Sequence, residues 1–298
     1  MEKKCLKLEG IYPAMVVSFD ENGELDIPAI KENINFVLEN GCEGVVVNGS
    51  TGEAVNLSTE ERKEVIRAAV EVCRPQGKKV IAGTGAAGTG EMLRLTRDAK
   101  ELGADAALVI TPFNNIPNRE GVIAHYTMAA EVGIPVIMYN IPSHTGVKIT
   151  MDMFDELIQH PNIIGMKDSS GDLVFMADIL AKYGDDVTLF TGCDDLCLQI
   201  FAMGATAGIL CLANIVPGQV VKIFHDVRRN DIKSARETYY SILPIAEAIG
   251  EDVNFPAAVK EAVRQIGHIT GEPRLPISPA GADKAEEIRK ALEHAGAI

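Results

Sequence analysis

The sequence predicts an α/β fold: a (β/α)8 TIM barrel with a C-terminal helical region. Three observations carry that expectation. Short runs rich in Val, Ile and Leu alternate with amphipathic stretches, and the repeat returns about every 25 to 30 residues, as βα units require. The runs lack polar alternation, which is the pattern of strands covered on both faces. About eight such units precede residue 228, the number that closes a parallel sheet on itself.

In chain order, the strand candidates are GIYPAMVVSF from Gly10, GVVVNG from Gly44, KVIAGT from Lys79 and AALVIT from Ala106. PVIMYN from Pro135, IIGMKD from Ile163, VTLFTG from Val187 and AGILCL from Ala207 complete them. The helices between carry their own signals. Ser58-Thr59-Glu60-Glu61 is a capping box, and Val65, Ile66, Ala69, Val72 and Cys73 follow at helical spacing. Further amphipathic stretches begin near Asp26, Glu91, Arg119, Met151, Asp172, Asp195 and Gln219. Beyond Arg229 no strand candidate occurs. Helical runs at 232–249, 255–269 and 282–295, with a Pro-rich stretch at 272–279, predict a three-helix region over 229–298 after a barrel over 1–228.

Composition narrows the function. Lys and Arg total 28 against 42 Asp and Glu, a net charge of −14, which repels phosphate backbones and anionic lipid. Nucleic acid and membrane are therefore not expected partners. The start, MEKKCLK, has no signal-type apolar core, and no apolar run is long enough to span a bilayer, so a cytoplasmic protein is expected. Six cysteines without CxxC spacing (Cys5, Cys42, Cys73, Cys193, Cys197 and Cys211) predict reduced thiols. Six histidines without HxH or HExxH predict no metal site.

In a barrel of this kind, chemistry sits where strands end. Those ends supply Asn48-Gly49-Ser50-Thr51-Gly52-Glu53 after strand two, Thr111-Pro112 after four and Tyr139-Asn140 after five. Lys167-Asp168 follows six, Gly192-Cys193-Asp194 seven, and Ala213-Asn214 eight. A lysine ending an apolar run must pair, reach water, or become a neutral nucleophile that condenses with a ketone. Pairing of Lys167 with Asp168 and imine chemistry both stay open from position alone. Tyr139 on the neighbouring strand could bond a carbonyl or shuttle protons. The turn at 49–53 offers backbone N–H groups and two hydroxyls to an anion such as a carboxylate. Gly83-Thr84-Gly85-Ala86-Ala87-Gly88 matches GxGxxG, with Asp105 about 20 residues on, so an NAD-dependent oxidoreductase is the rival from another class.

Taken together and in order, NGSTGEAVNLSTEER, GADAALVITP, YNIPSHTG, GMKDSSGD and LANIVP resemble the pyruvate-dependent Schiff-base aldolases and lyases. That family includes dihydrodipicolinate synthase, N-acetylneuraminate lyase, 2-keto-3-deoxygluconate aldolase and 4-hydroxy-2-oxoglutarate aldolase. The resemblance implies that Lys167 forms the Schiff base and Tyr139 is the acid/base phenol. It also implies that Ser50 and Thr51 hold the pyruvate carboxylate, with Thr51 bonded to Tyr139, and that the Ile209 carbonyl lines the pyruvate end. A homotetramer without metal or organic cofactor is implied as well. Departures bear on the second substrate. His144 stands where dihydrodipicolinate synthases place a carboxylate-gripping arginine, and Asn114 where many relatives have a tyrosine. Asp194 and Asp195 keep the acidity of the sialate lyases, but Cys211 aligns with their serine. The expected activity is cleavage or formation of a C–C bond between pyruvate and a hydroxylated or carboxylated aldehyde, of 2-keto-3-deoxy sugar acid or 4-hydroxy-2-oxoglutarate type. Dihydrodipicolinate synthase is the alternative, sialate lyase is less favoured, and a non-catalytic 2-oxo acid sensor is a further possibility.

Overall fold

A computed structural model describes residues 6–250 and 254–298, so Cys5 lies outside the described residues. The strands are β1 (Gly10–Pro13), β2 (Gly44–Val47), β3 (Lys79–Gly83), β4 (Ala106–Ile110), β5 (Val136–Asn140), β6 (Ile163–Asp168), β7 (Thr188–Thr191) and β8 (Ala207–Leu210). They form one eight-stranded sheet in the order β1-β8-β7-β6-β5-β4-β3-β2, parallel at every pairing from β3 to β8. Each strand neighbours its successor and β8 returns to β1, which is the strand order of the (β/α)8 fold. All eight strands are buried nearly throughout, as their continuous apolar character requires.

The helices are α1 (Ile27–Glu39), α2 (Thr59–Cys73), α3 (Thr89–Leu102), α4 (Arg119–Glu131), α5 (Pro142–Thr145), α6 (Met151–Leu157), α7 (Leu173–Tyr183), α8 (Cys197–Ala202), α9 (Pro217–Arg228), α10 (Ile232–Gly250), α11 (Phe255–Gln265) and α12 (Ala282–His294). Several predicted starts prove to be caps. Asp26 and Asp172 accept hydrogen bonds from Ala29 N and Phe175 N, and Ser58 with Glu61 closes the capping box. The first strand is shorter than its apolar run: beyond Pro13 one bridge, Ala14 with Val46, keeps the pairing with β2 through Met15 N donating to Val46 O, and Val16 N then turns to the side chain of Asn214. The sequence also gave no sign of α5, a single turn started by Pro142 and ended by Gly146 at φ +72°. Near Asp195 a 3-10 turn, Asp194–Leu196, precedes the helix.

The chain forms two compact units. One comprises Ile81–Ile209 with the segment up to Glu9, the other Gly10–Val80 with Leu210–Ile298. In the first, Ile137, Met138, Met166 and Phe190 are wholly buried, each worth about 1.5–3 kcal/mol of apolar transfer. In the second, α10 packs against α9 and α12, and α11 against α12. No helix among the described residues is long and apolar enough to cross a membrane.

Candidate active site

The parallel register of β5 and β6 pairs Tyr139 with Lys167 and Asn140 with Asp168. Side chains of successive residues point to opposite faces of a strand, so one pair faces away from the other. The consequence decides an alternative that the sequence left open. Asp168 directs its carboxylate away from Lys167: it accepts from Asn140 Nδ2 at 2.6 Å, Ser170 Oγ at 2.6 Å and Ser170 N at 2.9 Å. Burial raises the Asp168 carboxyl above its ordinary range, against those three hydrogen bonds. Lys167, 6% exposed, instead places Nζ 4.2 Å from the centroid of the Tyr139 ring. An amine beside a phenol, both almost out of water, is the pair that imine chemistry uses as nucleophile and proton relay.

Space for this lysine depends on a glycine whose role the sequence reading missed. A Cβ at Gly192, just beyond β7, would lie 2.5 Å from Lys167 Cε and 2.0 Å from Ser169 Oγ. The residue was visible as a strand end, but only its packing against the lysine stem and Ser169 explains why it has no side chain. The Tyr139 side is held by hydroxyls. Thr111 N donates to Tyr139 O at 3.2 Å, and the buried Thr111 Oγ1 donates to Thr145 Oγ1 at 2.9 Å, tying the end of β4 to α5.

Other candidates belong to the same unit. His144, on α5, is exposed, with Ser143 Oγ 3.2 Å from its Nδ1. Asn114 is exposed in a left-handed turn at φ +72°, a conformation asparagine tolerates better than most residues. Asp194 is half-buried at the start of the 3-10 turn and Asp195 exposed beside it. Ile209 is buried at the end of β8. The glycine-rich Gly83-Thr84-Gly85-Ala86-Ala87-Gly88 has a packing explanation: a Cβ on Gly85 would lie 2.8 Å from Ile110 N, so close approach to β4 demands glycine there.

In the second unit, the segment after β2 closes on itself. Glu53 N donates to Ser50 O at 3.0 Å and Ala54 N to Gly49 O at 3.3 Å. Arg62 of α2 donates through Nε to Ala54 O at 2.9 Å, and Asn48 Nδ2 donates back to Arg62 O at 2.9 Å. Ser50 is exposed at this turn and Thr51 buried, with Thr51 Oγ1 3.2 Å from the sulfur of half-buried Cys211. The structure thus brings Lys167 together with Tyr139, and Thr51 with Cys211.

Known proteins match nearly the whole chain. The sequence profile of the dihydrodipicolinate synthetase family matches residues 7–295. A 4-hydroxy-tetrahydrodipicolinate synthase of Methanoculleus marisnigri is 40% identical over 292 residues, covering 97% of this chain and 99% of that protein. One from Exiguobacterium is 35% identical over 285 residues, covering 95% and 97%. Among solved structures, the dihydrodipicolinate synthase of Acinetobacter baumannii complexed with pyruvate superposes with a TM-score of 0.94 at 33% identity, covering 98% of this chain and all of that one. That of Aquifex aeolicus gives 0.92 at 33% identity, covering 97% and 98%. The chain belongs to the dihydrodipicolinate synthetase family.

Proposed function

We propose that this protein is a class I lyase that makes or breaks a carbon–carbon bond at C3 of pyruvate, with the pyruvate held as an imine of Lys167. The observation that carries the reading is Lys167 Nζ against the Tyr139 ring, with Asp168 committed elsewhere. In the synthetic direction, the Lys167 amine adds to the pyruvate ketone and water leaves as the iminium forms. Loss of a C3 proton gives the enamine, whose carbon attacks the aldehyde. The new alkoxide takes up a proton, and hydrolysis frees Lys167. Tyr139 is the group that moves protons in carbinolamine formation and collapse. We assign Ser50 and Thr51 to the pyruvate carboxylate and the Ile209 carbonyl to the pyruvate end on their places in the family motifs.

For the acceptor, the names of the relatives favour aspartate semialdehyde, giving 4-hydroxy-tetrahydrodipicolinate synthase activity. The second reading is a hydroxylated aldehyde of the 2-keto-3-deoxy sugar acid type, or the small carboxylated aldehyde of the 4-hydroxy-2-oxoglutarate type. His144 favours the hydroxylated one, because histidine cannot offer a carboxylate the bidentate fork of arginine. His144, Asp194, Cys211 and Asn114 are then the candidates to face the aldehyde half. We further propose a cytoplasmic homotetramer and a division into a catalytic barrel over 1–228 and a three-helix region over 229–298.

The test is intact-protein mass spectrometry after pyruvate and borohydride, with peptide mapping, followed by turnover with a panel of aldehydes. An adduct on Lys167 that is absent from Lys167→Ala, together with turnover, supports the reading. No adduct on the folded protein refutes it, and an adduct without turnover of any aldehyde makes the protein a 2-oxo acid binder.

A further inference from the structure

The turn carrying Ser50 and Thr51 leaves through a residue that is hard to place. Glu53 sits in the left-handed region, at φ +49° and ψ +35°, and is 1% exposed. A non-glycine residue adopts that conformation only when its surroundings hold it there, and a buried carboxylate persists only when cations and donors surround it. Both conditions are met from the C-terminal helical region. Lys260 of α11, itself 1% exposed, puts Nζ 2.5 Å from Glu53 Oε1. Arg274 N donates to Glu53 Oε2 at 2.9 Å.

The surroundings leave little freedom to either partner. Lys260 Nζ and Arg274 Cζ each lie 4.3 Å from the centroid of the Phe19 ring. The Arg274 guanidinium donates to Gly23 O at 2.6 Å and Asn56 O at 3.2 Å, and pairs with Glu61 at 2.6 Å. Burial lowers the Lys260 ammonium and Glu53 opposes the effect. At its other end, Glu53 is part of the turn, because its own N–H closes onto Ser50 O. The hydrogen bond ties the residue that carries the buried carboxylate to the residue whose hydroxyl the turn presents.

We propose that Lys260 is a positioning residue for the 2-oxo acid carboxylate, acting through Glu53 to fix the turn that presents Ser50 and Thr51. This rests on the reading above that the turn receives the carboxylate of pyruvate. The C-terminal region would then set affinity for the first substrate while touching no reacting atom.

The experiment measures the pyruvate concentration that half-saturates borohydride trapping on Lys167, alongside kcat and KM. It uses the unaltered protein, Lys260→Met, Glu53→Gln, and the two changes together, with circular dichroism as the check on folding. In Lys260→Met a stranded buried carboxylate is expected to raise half-saturation and KM for pyruvate about tenfold or more, with kcat within about threefold. The double variant removes the stranded charge while its amide keeps an acceptor for Arg274 N–H, and it is expected to recover most of the loss. A folded Lys260→Met with half-saturation within about twofold of the original overturns the proposal, as does a fall in kcat that accounts for the whole loss in kcat/KM. If Lys260→Met does not fold, Glu53→Gln decides on the same criterion. Absence of an adduct in the unaltered protein refutes the carboxylate reading, and the proposal with it. An adduct there with unmoved variants refutes the proposal alone.

Discussion

His125 makes the stability of this protein sensitive to mild acid, and the effect can be sized from its surroundings. The residue lies on α4, 1% exposed, its ring edge-on to Tyr126 at 5.6 Å. Thr89 Oγ1 is 3.0 Å from Nδ1, while Nε2 is buried without a hydrogen-bond partner. Burial holds the imidazole neutral and lowers its pKa from 6.5 to about 4. Above pH 6.5 neither native nor unfolded chain carries this proton, and His125 contributes nothing to the pH dependence. Between 6.5 and about 4 the unfolded chain takes up a proton that the native state refuses, so stability falls as the pH falls; below about 4 the loss is complete. At about 1.4 kcal/mol per pH unit the full loss is about 3 kcal/mol, of which about 2 is reached at pH 5. The perturbation is His125→Phe, which keeps an aromatic ring against Tyr126 and cannot protonate. Urea denaturation of both proteins at about pH 7.5 and pH 5 gives two differences, and the unaltered protein is expected to lose about 2 kcal/mol more than the variant. Carboxylates held low by partners, such as Glu61 at about 2 beside Arg274, titrate in both proteins and cancel. Equal losses, within about 0.5 kcal/mol, would refute a neutral buried imidazole.

Three further outcomes concern the site. Tyr139→Phe keeps the ring over Lys167 but removes the hydroxyl that serves carbinolamine formation and collapse, so pyruvate should be trapped more slowly though to the same final yield, while turnover falls about 10²–10⁴-fold; steady-state rates beside a time course of adduct yield check this. Gly192→Ala places a methyl group into the Lys167 stem, where only 2.5 Å is available to Cε, and should cut the rate of adduct formation at least tenfold, about 1.4 kcal/mol, in a time course of trapping. His144→Arg supplies the fork that the family pattern uses for a carboxylated acceptor. It should raise kcat/KM for aspartate semialdehyde relative to an uncharged aldehyde, measured by direct competition.

What the sequence revealed divides along physical lines. Strands were legible because a continuous apolar run marks a strand covered on both faces, and the lysine and tyrosine because they stand where such runs end. Once Tyr139 and Lys167 end adjacent parallel strands, their contact follows from register. Caps were legible for the same local reason, as Ser58, Asp26 and Asp172 show. The ion pair of Glu53 with Lys260 was not, because it depends on a close approach between segments far apart in the chain, and neither was the role of Gly192, because register places it beside the end of β6 without showing what a side chain there would strike. In the sequence, Glu53 ends an ordinary Gly-Ser-Thr turn and Lys260 is one lysine on an amphipathic run. Only burial of both to 1% reveals that they belong together.

The same distinction explains why the acceptor is harder to read than pyruvate. Groups assigned to the oxo acid stand on strand ends or in a turn closed by backbone hydrogen bonds, so their geometry is fixed by the ladder itself. Of the candidates for the aldehyde, Cys211 directly follows β8, but the other three stand on α5, on the left-handed turn at Asn114 and on the 3-10 turn at Asp194. A loop residue can change its chemistry without disturbing the sheet, because the backbone hydrogen bonds that position the strands do not pass through its side chain. Competition between carboxylated and uncharged aldehydes, run on the unaltered protein and on His144→Arg, is therefore the measurement that separates the two readings of the acceptor.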